Sequence, residues 1–285
     1  MLHYSVVIPA KNEAIGIGDV IRKIANLDGL EEVIVVNDGS ADDTAAVAEG
    51  AGAKVISHPY SKGNGAAIKT GAKIAKSEII VFMDGDGQHR PEDIPKLLRG
   101  LNAGYDMIVG ARNQEGQAGW HRLIANGFYN RFASWMVGHR IEDLTSGFRA
   151  VRRTKFLEFI SLLPNKFSYP TTITMSFFRA GYSVGYEPVT VLPRAQGSKS
   201  HISLWKDGLR FLLIIFKIGT LFSPLKLFFP ISLMLGGGGV AYYSYTYLTD
   251  GRFTNMGVLL FTTSILVFLM GLVSEQITAL MYREK

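Results

Sequence analysis

Short apolar runs rich in Val and Ile alternate with stretches of helical period along the first part of the chain. Tyr4–Ile8, Glu32–Asn37, Ala53–Ser57, Ile79–Met83 and Met107–Gly110 read as strands that are largely buried. Between them, Ala14–Ala25, Asp42–Ala48, Ala66–Ala75 and Ile94–Leu101 carry the period of helices. Such alternation predicts βαβ units and an α/β, Rossmann-like, mostly parallel sheet over residues 1–200. Ligands of such sheets bind outside the carboxyl ends of the strands.

The C-terminal third follows a different pattern. Leu227 to Thr249 is a run of 23 residues without a charge, and Phe253 to Ser274 a run of 22. At ~1.5 Å per residue each reaches roughly 33 Å, the thickness of a bilayer's hydrocarbon core. Residues 225–285 are therefore expected to form a two-helix transmembrane hairpin with a short tail. Residues 201–224 form a juxtamembrane region in which Ser203–Phe222 reads as an amphipathic helix lying on the membrane surface. Basic residues flank the spans: Lys206, Arg210, Lys217 and Lys226 before them, Arg283 and Lys285 after. By the positive-inside rule both termini and the first domain face the cytosol. Met1–Ser5 runs straight into Val6-Val7-Ile8-Pro9 with no basic n-region, so no signal peptide is expected. Gly236–Gly239 in the first span predicts close approach of another helix, including one from a second copy of the chain in a homo-oligomer. Glu275 is expected to snorkel or to pair with a neighbour.

Composition narrows the chemistry. The 285 residues are 47% hydrophobic and 19% charged, which excludes disorder. Cysteine is absent, and with it disulfides, zinc thiolates, iron–sulfur clusters and a thiol nucleophile. The formal charge of +6 comes without the Lys/Arg runs of a nucleic-acid binder, so nucleic acid is not an expected partner.

Polar residues gather at the predicted strand ends. Pro9-Ala10-Lys11-Asn12-Glu13 follows the first strand, Asn37-Asp38-Gly39-Ser40 the second, and Asp84-Gly85-Asp86-Gly87-Gln88 the fourth. Each alone is an ordinary turn; together they bring carboxylates to one sheet edge. Gly16-x-Gly18 and Gly63-x-Gly65 lack the third glycine of a dinucleotide fingerprint, and no Gly-Lys-Ser/Thr of a P-loop occurs. An EF-hand is excluded because His89 stands at its sixth position and Pro95 at its twelfth. Asp84-x-Asp86 can hold a hard divalent cation, Mg²⁺ or Mn²⁺, while leaving positions for phosphate oxygens, and Gln88 can add a neutral oxygen.

These motifs, with Asp143-Leu144-Thr145-Ser146-Gly147-Phe148-Arg149, resemble family-2 glycosyltransferases of the A type (GT-A fold). The last motif and the apolar pair resemble the branch of dolichol-phosphate mannose synthases and bacterial polyprenyl-phosphate glycosyltransferases. The resemblance implies transfer of one sugar, with inversion, from a nucleotide-sugar to polyprenyl phosphate in a prokaryotic cell membrane. It also implies that Pro9, Ala10, Glu13, Val36 and Asp38 surround the nucleoside, with Asp38 accepting from the base. Asp84, Gly85, Asp86 and Gln88 would hold the metal and donor diphosphate, and Arg112, Arg194 and Lys199 would lie near the phosphates. The family often has an aromatic residue where Lys11 stands. The Gln-x-x-Arg-Trp signature of processive synthases is absent, which favours single-sugar transfer.

A phosphate monoester has a second pKa near ~6 and attacks without a general base, but needs cations to position it. Residues 112–155 supply Arg112, Arg122, Arg131, Arg140, Arg149, Arg152, Arg153 and Lys155. Of these, Arg122, Arg131 and Arg149, with Ser146, are the expected ligands of the acceptor phosphate. The remainder apart from Arg112 are expected to sit near anionic lipid. Asp86, Arg112 and Asp143 are the expected catalytic residues; Asp143 is either a proton acceptor or a structural cap for Thr145–Arg149. Should the acceptor be the hydroxyl of another membrane lipid, Asp143 would be its base. A binding subunit without activity is a third reading, which the intact Asp84-x-Asp86 opposes.

Overall fold

The computed structural model describes residues 2–112, 120–166, 168–192, 216–217, 219–252 and 254–283. Two compact units divide the chain, Met1–His201 and Ile202–Lys285.

The first unit is built on a seven-stranded sheet. Its strands are β1 (Tyr4–Ala10), β2 (Leu30–Asn37), β3 (Lys54–Ser57), β4 (Ile79–Phe82), β5 (Met107–Arg112), β6 (Arg149–Arg152) and β7 (Val184–Val189). Their spatial order is β3-β2-β1-β4-β6-β5-β7. Pairs among β1–β4, and β5 with β7, are parallel; β6 alone runs against its neighbours β4 and β5. The helices are α1 (Ile17–Ala25), α2 (Thr44–Gly50), α3 (Asn64–Ile74), α4 (Ile94–Asn102), α5 (Trp120–Val137), α6 (Arg153–Glu158) and α7 (Tyr169–Arg179). The five predicted strands and four predicted helices are all present. β1 and β2 are apolar throughout their central positions because both faces are covered, as parallel strands require.

β6 escapes a pattern search because two of its four residues are arginines. It nevertheless lies inside the sheet: Arg149 pairs in register with Phe82 on one side and Val109 on the other. Because β6 is antiparallel, it begins at the edge where β4 and β5 end. The chain before it, residues 138–148, is thereby delivered to the carboxyl edge.

Gly63 and Gly65 have a packing explanation. A Cβ on Gly65 would lie 2.0 Å from the Pro164 carbonyl oxygen. The Gly65 and Ala66 amides donate to the Lys166 and Asn165 carbonyls at 3.1 and 2.8 Å, so a remote loop caps α3.

Among its described residues the second unit contains α8 (Pro224–Asp250) and α9 (Asn255–Arg283), packed as a hairpin. Both are long and apolar enough to cross a membrane. Ser232 Oγ donates to the Ser264 carbonyl and Ser264 Oγ to the Ser232 carbonyl, each at 2.9 Å. A Cβ at Gly236 would meet Ser264 Oγ at 2.9 Å, and one at Gly239 the Phe261 ring at 3.2 Å; Gly237 and Gly238 face open space. The helix that approaches these glycines is thus α9 of the same hairpin. Glu275 is a partner: its Oε2 accepts from the Leu225 amide at 3.2 Å, at the positive end of α8. Most of Ser203–Phe222 lies outside the described residues.

Candidate functional site

Hydrogen bonds between the loops at the carboxyl edge give the site its shape. After β1, Asn12 takes a left-handed backbone (φ 58°), which asparagine tolerates better than most residues. Its amide donates to Ser40 Oγ at 3.0 Å, and its Oδ1 accepts from the Ala41 amide at 2.9 Å. The Glu13 amide donates to Thr44 Oγ1 at 2.9 Å and the Ala14 amide to Asp42 Oδ2 at 3.2 Å. Four bonds therefore join the loops after β1 and β2. Pro9, Ala10 and Val36 are buried strand residues beneath this junction; Pro9 and Val36 are register partners, and the Asp38 amide donates to the Ala10 carbonyl at 2.9 Å.

Asp38 corrects an expectation. Its Oδ1 accepts from His58 Nδ1 at 2.7 Å and the Lys62 amide at 2.8 Å, and its Oδ2 from Ser61 Oγ and the Gly63 amide, both at 2.8 Å. These fill the roughly four acceptor sites of a carboxylate, so none remains for a nucleobase. Burial pushes the Asp38 carboxyl up, but the His58, Lys62, Ser61 and Gly63 hydrogen bonds outweigh it and bring the pKa to about 2. His58, buried between Asp38 and Thr70 Oγ1, had no sequence signal because its partner lies twenty residues away.

Asp84 and Asp86 lie in the loop after β4. Burial pushes the Asp84 carboxyl up; the charges of His89, Arg112 and Arg149 pull it down, and that of Asp86 adds to the rise. His89 Nδ1 is 3.9 Å from Asp84 Oδ2, and its ring stacks on Phe148 with centroids 5.1 Å apart. Asp86 Oδ1 accepts from the Gln88 amide at 3.1 Å. Gln88 Nε2 donates to the Leu192 carbonyl at 3.3 Å, tying this loop to the chain leaving β7. A Cβ on Gly85 would lie 3.0 Å from Ile17 Cδ1.

The segment delivered by β6 completes the edge. Arg112, the last residue of β5, donates from Nε to Asp143 Oδ2 at 2.7 Å and from Nη2 to Asp143 Oδ1 at 2.9 Å. Its Nη2 also donates to Thr145 Oγ1. The amides of Arg112, Thr145 and Ser146 add bonds to the same carboxylate at 3.3, 3.0 and 3.1 Å. Burial raises the Asp143 pKa, but Arg112 and these amides hold it below the usual carboxylate range. Arg112 Nη1 has no hydrogen-bond partner among the described residues.

Two expected acceptor ligands are corrected. Arg149 is completely buried, with Nη1 bonded to the Pro170 carbonyl at 3.2 Å and Thr174 Oγ1 at 3.1 Å, and Nη2 to the Ser146 carbonyl. As a sheet residue it points into the protein and cannot meet a phosphate. Ser146 is 2% exposed, so its hydroxyl is equally out of reach. Arg131 is exposed on α5. Arg194, Lys199 and the Arg122 side chain lie outside the described residues.

The donor set is of the chemistry a hard divalent cation takes: two carboxylates, with the amide oxygen of Gln88, on one loop. Among the described residues no cluster of three or more acidic or imidazole groups that could hold a metal occurs.

A family model, glycosyl transferase family 2, matches residues 5–159, more than half of the chain. The chain belongs to glycosyl transferase family 2. A second model, the GtrB C-terminal hairpin, matches residues 223–280 and coincides with α8 and α9. Among curated members, glycosyltransferase AglJ of Haloferax volcanii is 29% identical over 98% of this chain and 95% of its own length. The dolichol-phosphate mannosyltransferase of Pyrococcus furiosus is 34% identical over 68% of this chain and 57% of its own. A crystal structure of glucosyl-3-phosphoglycerate synthase from Mycobacterium tuberculosis, with Mn²⁺, UDP-glucose and phosphoglyceric acid, superposes with a TM-score of 0.60. It is 25% identical and covers 75% of this chain and 79% of that one. This glycosyltransferase thus joins the family's GT-A sheet to an apolar hairpin.

Proposed function

We propose that this glycosyltransferase moves a single sugar from a nucleoside-diphosphate sugar to polyprenyl phosphate, with inversion, at the cytosolic face of a membrane crossed by α8 and α9. The observation that carries the reading is the meeting, at one sheet edge, of the Asp84/Asp86 pair with an Arg112 guanidinium whose Nη1 is uncommitted. The names of the curated relatives, a dolichol-phosphate mannosyltransferase among them, support the acceptor class.

Asp84 and Asp86 would hold Mg²⁺ or Mn²⁺ together with the donor diphosphate, and Gln88 can contribute its Oε1. A cation bound there neutralises charge on the departing diphosphate. An acceptor phosphate oxygen attacks the anomeric carbon from the face opposite the leaving group. As that bond forms, the carbon–oxygen bond to the diphosphate breaks, and the nucleoside diphosphate leaves with the electron pair. The dianionic acceptor has no proton to lose, so no base is required. Arg112, aimed by Asp143, presents Nη1 to phosphate oxygens, the recognition for which a guanidinium is suited. Asp143, engaged by six donors and held below the usual carboxylate range, acts as a positioning residue.

The test is transfer of radiolabel from UDP- and GDP-sugars to polyprenyl phosphate, with Mg²⁺ or Mn²⁺ and with EDTA. Counts in the organic phase from one donor, abolished by EDTA, are expected. No organic-phase counts from any donor with folded protein would overturn the proposed acceptor.

A further inference from the structure

His89 is a buried polar residue that the proposed reaction leaves unused. The turn at Gly87 (φ 71°) folds the chain back, so that His89 faces Asp84 within the same loop. The imidazole is 7% exposed, and its Nδ1 is buried without a hydrogen-bond partner among the described residues. That nitrogen lies 3.9 Å from Asp84 Oδ2, while the Asp84 side chain is 37% exposed and open to a ligand. Packing holds the ring in place. It stacks on Phe148 with centroids 5.1 Å apart and planes inclined by 17°. Phe148 is completely buried and wedged over β5: a Cβ on Gly110 would lie 2.8 Å from its Cδ1, and its carbonyl accepts from the Gly110 amide at 2.9 Å. The residue before the histidine is held as well, its carbonyl accepting from the Leu192 amide at 2.9 Å.

Stacking alone would be served by a phenyl ring, and a buried nitrogen without a partner calls for a reason. A nitrogen that faces a carboxylate oxygen must carry the proton, because two acceptors repel; His89 is therefore the Nδ1–H tautomer. A carboxylate that ligates a cation is in turn oriented by hydrogen bonds to it. We infer that His89 Nδ1–H is the donor that orients Asp84 through Oδ2, which makes His89 a positioning residue of the cation site. The inference rests on the reading that Asp84 and Asp86 hold a divalent cation. Closing the gap to an ordinary hydrogen bond needs a movement of about 1 Å. Phe148 holds the imidazole, so the carboxylate moves and the imidazole sets where it stops. Among the described residues no group of three or more acidic or imidazole side chains could hold a metal, which places His89 behind Asp84 and not beside it as a third ligand.

The experiment uses the full chain in detergent with Mn²⁺ as the probe, alone and with UDP or GDP. Binding is followed by water-proton relaxation enhancement. Neither sugar donor nor lipid acceptor is present, so the identity of the acceptor has no part in the result. His89→Phe keeps the stacking and removes the donor. His89→Asn places an amide N–H near the position of Nδ1, whereas His89→Gln places one near that of Nε2. Affinity for Mn²⁺ is expected to fall by about 10–100-fold in His89→Phe and His89→Gln, and to recover most of that loss in His89→Asn. The contrast between Asn and Gln decides even where Phe alters the packing.

Unchanged affinity in His89→Phe would overturn the inference. A loss in His89→Asn as large as that in His89→Gln would do the same, reducing the histidine to packing. Pulsed EPR of the bound Mn²⁺ separates positioning from ligation: a nitrogen coupling as strong as that of a ligated imidazole, absent from His89→Phe, would make His89 a ligand and overturn its role behind Asp84. No binding of Mn²⁺ by the parent chain, with or without nucleotide, would overturn the cation reading itself and this inference with it.

Discussion

Arg112 and Asp143 meet side-on, Nε 2.7 Å from Oδ2 and Nη2 2.9 Å from Oδ1, although thirty-one residues separate them in the chain. The pairing requires β6 to run against β4 and β5, which returns the 143–148 segment to the end of β5. It leaves one arm of the guanidinium outward and turns the carboxylate inward, where amides saturate it.

Asp143→Asn keeps the shape and removes the charge. We expect kcat/KM for polyprenyl phosphate to fall by about 10–100-fold, the usual effect of losing a partner that orients a binding group. The pH–rate profile should keep its shape, because a carboxylate held below its usual range does not titrate near neutrality. Loss of the profile's acidic limb would instead make Asp143 the base.

Gly147 lies directly over the metal-binding candidate. A Cβ there would come 3.0 Å from Asp84 Oδ2, so Gly147→Ala pushes on that carboxylate. The expected outcome is a higher Mg²⁺ or Mn²⁺ concentration for half-maximal activity, with a roughly 10–100-fold loss at low metal. Metal titration of both proteins checks it. Equal half-saturation would detach Gly147 from the cation site.

Arg149 and Tyr169 grip the same turn from below: Arg149 Nη2 donates to the Ser146 carbonyl and Tyr169 Oη to the Gly147 carbonyl at 3.2 Å. Arg149→Met removes a costly buried charge but leaves the buried Ser146 carbonyl without this donor, at about 1–3 kcal/mol, while the Pro170 carbonyl keeps the Thr174 hydroxyl. A lower melting temperature and reduced kcat are expected, with KM for the lipid acceptor unchanged. A selective rise in that KM would restore Arg149 as a phosphate ligand.

Acid should weaken the loop around Asp38. Its pKa is 3.8 in the ordinary state and about 2 in the fold, so between these values the unfolded chain binds more protons than the native one. The stabilisation, about 2 kcal/mol, is full above pH ~4 and is lost as pH falls toward ~2. Asp38→Asn should melt lower than the parent chain near neutral pH, with the gap closing across that window. Thermal denaturation followed by circular dichroism in detergent measures it; a gap constant with pH would remove Asp38 from the acid response.

Much of this protein was legible in one dimension. The Val/Ile runs of β1, β2 and β4 and the two uncharged stretches of the hairpin rest on hydrophobic burial, whose period is written locally. The Asp84-x-Asp86 loop was legible for the same reason, since one turn supplies both carboxylates. Long-range pairing was not. β6 is two arginines around Ala-Val, and only the sheet shows that Arg149 is a buried clamp and not a surface cation. Asp38 has the spacing of a ligand residue, yet its lone pairs are taken by His58, Ser61, Lys62 and Gly63 because β3 and the chain after it return beside β2. A side chain's type is set by sequence, but its free donors and acceptors are what remain after tertiary neighbours have taken theirs.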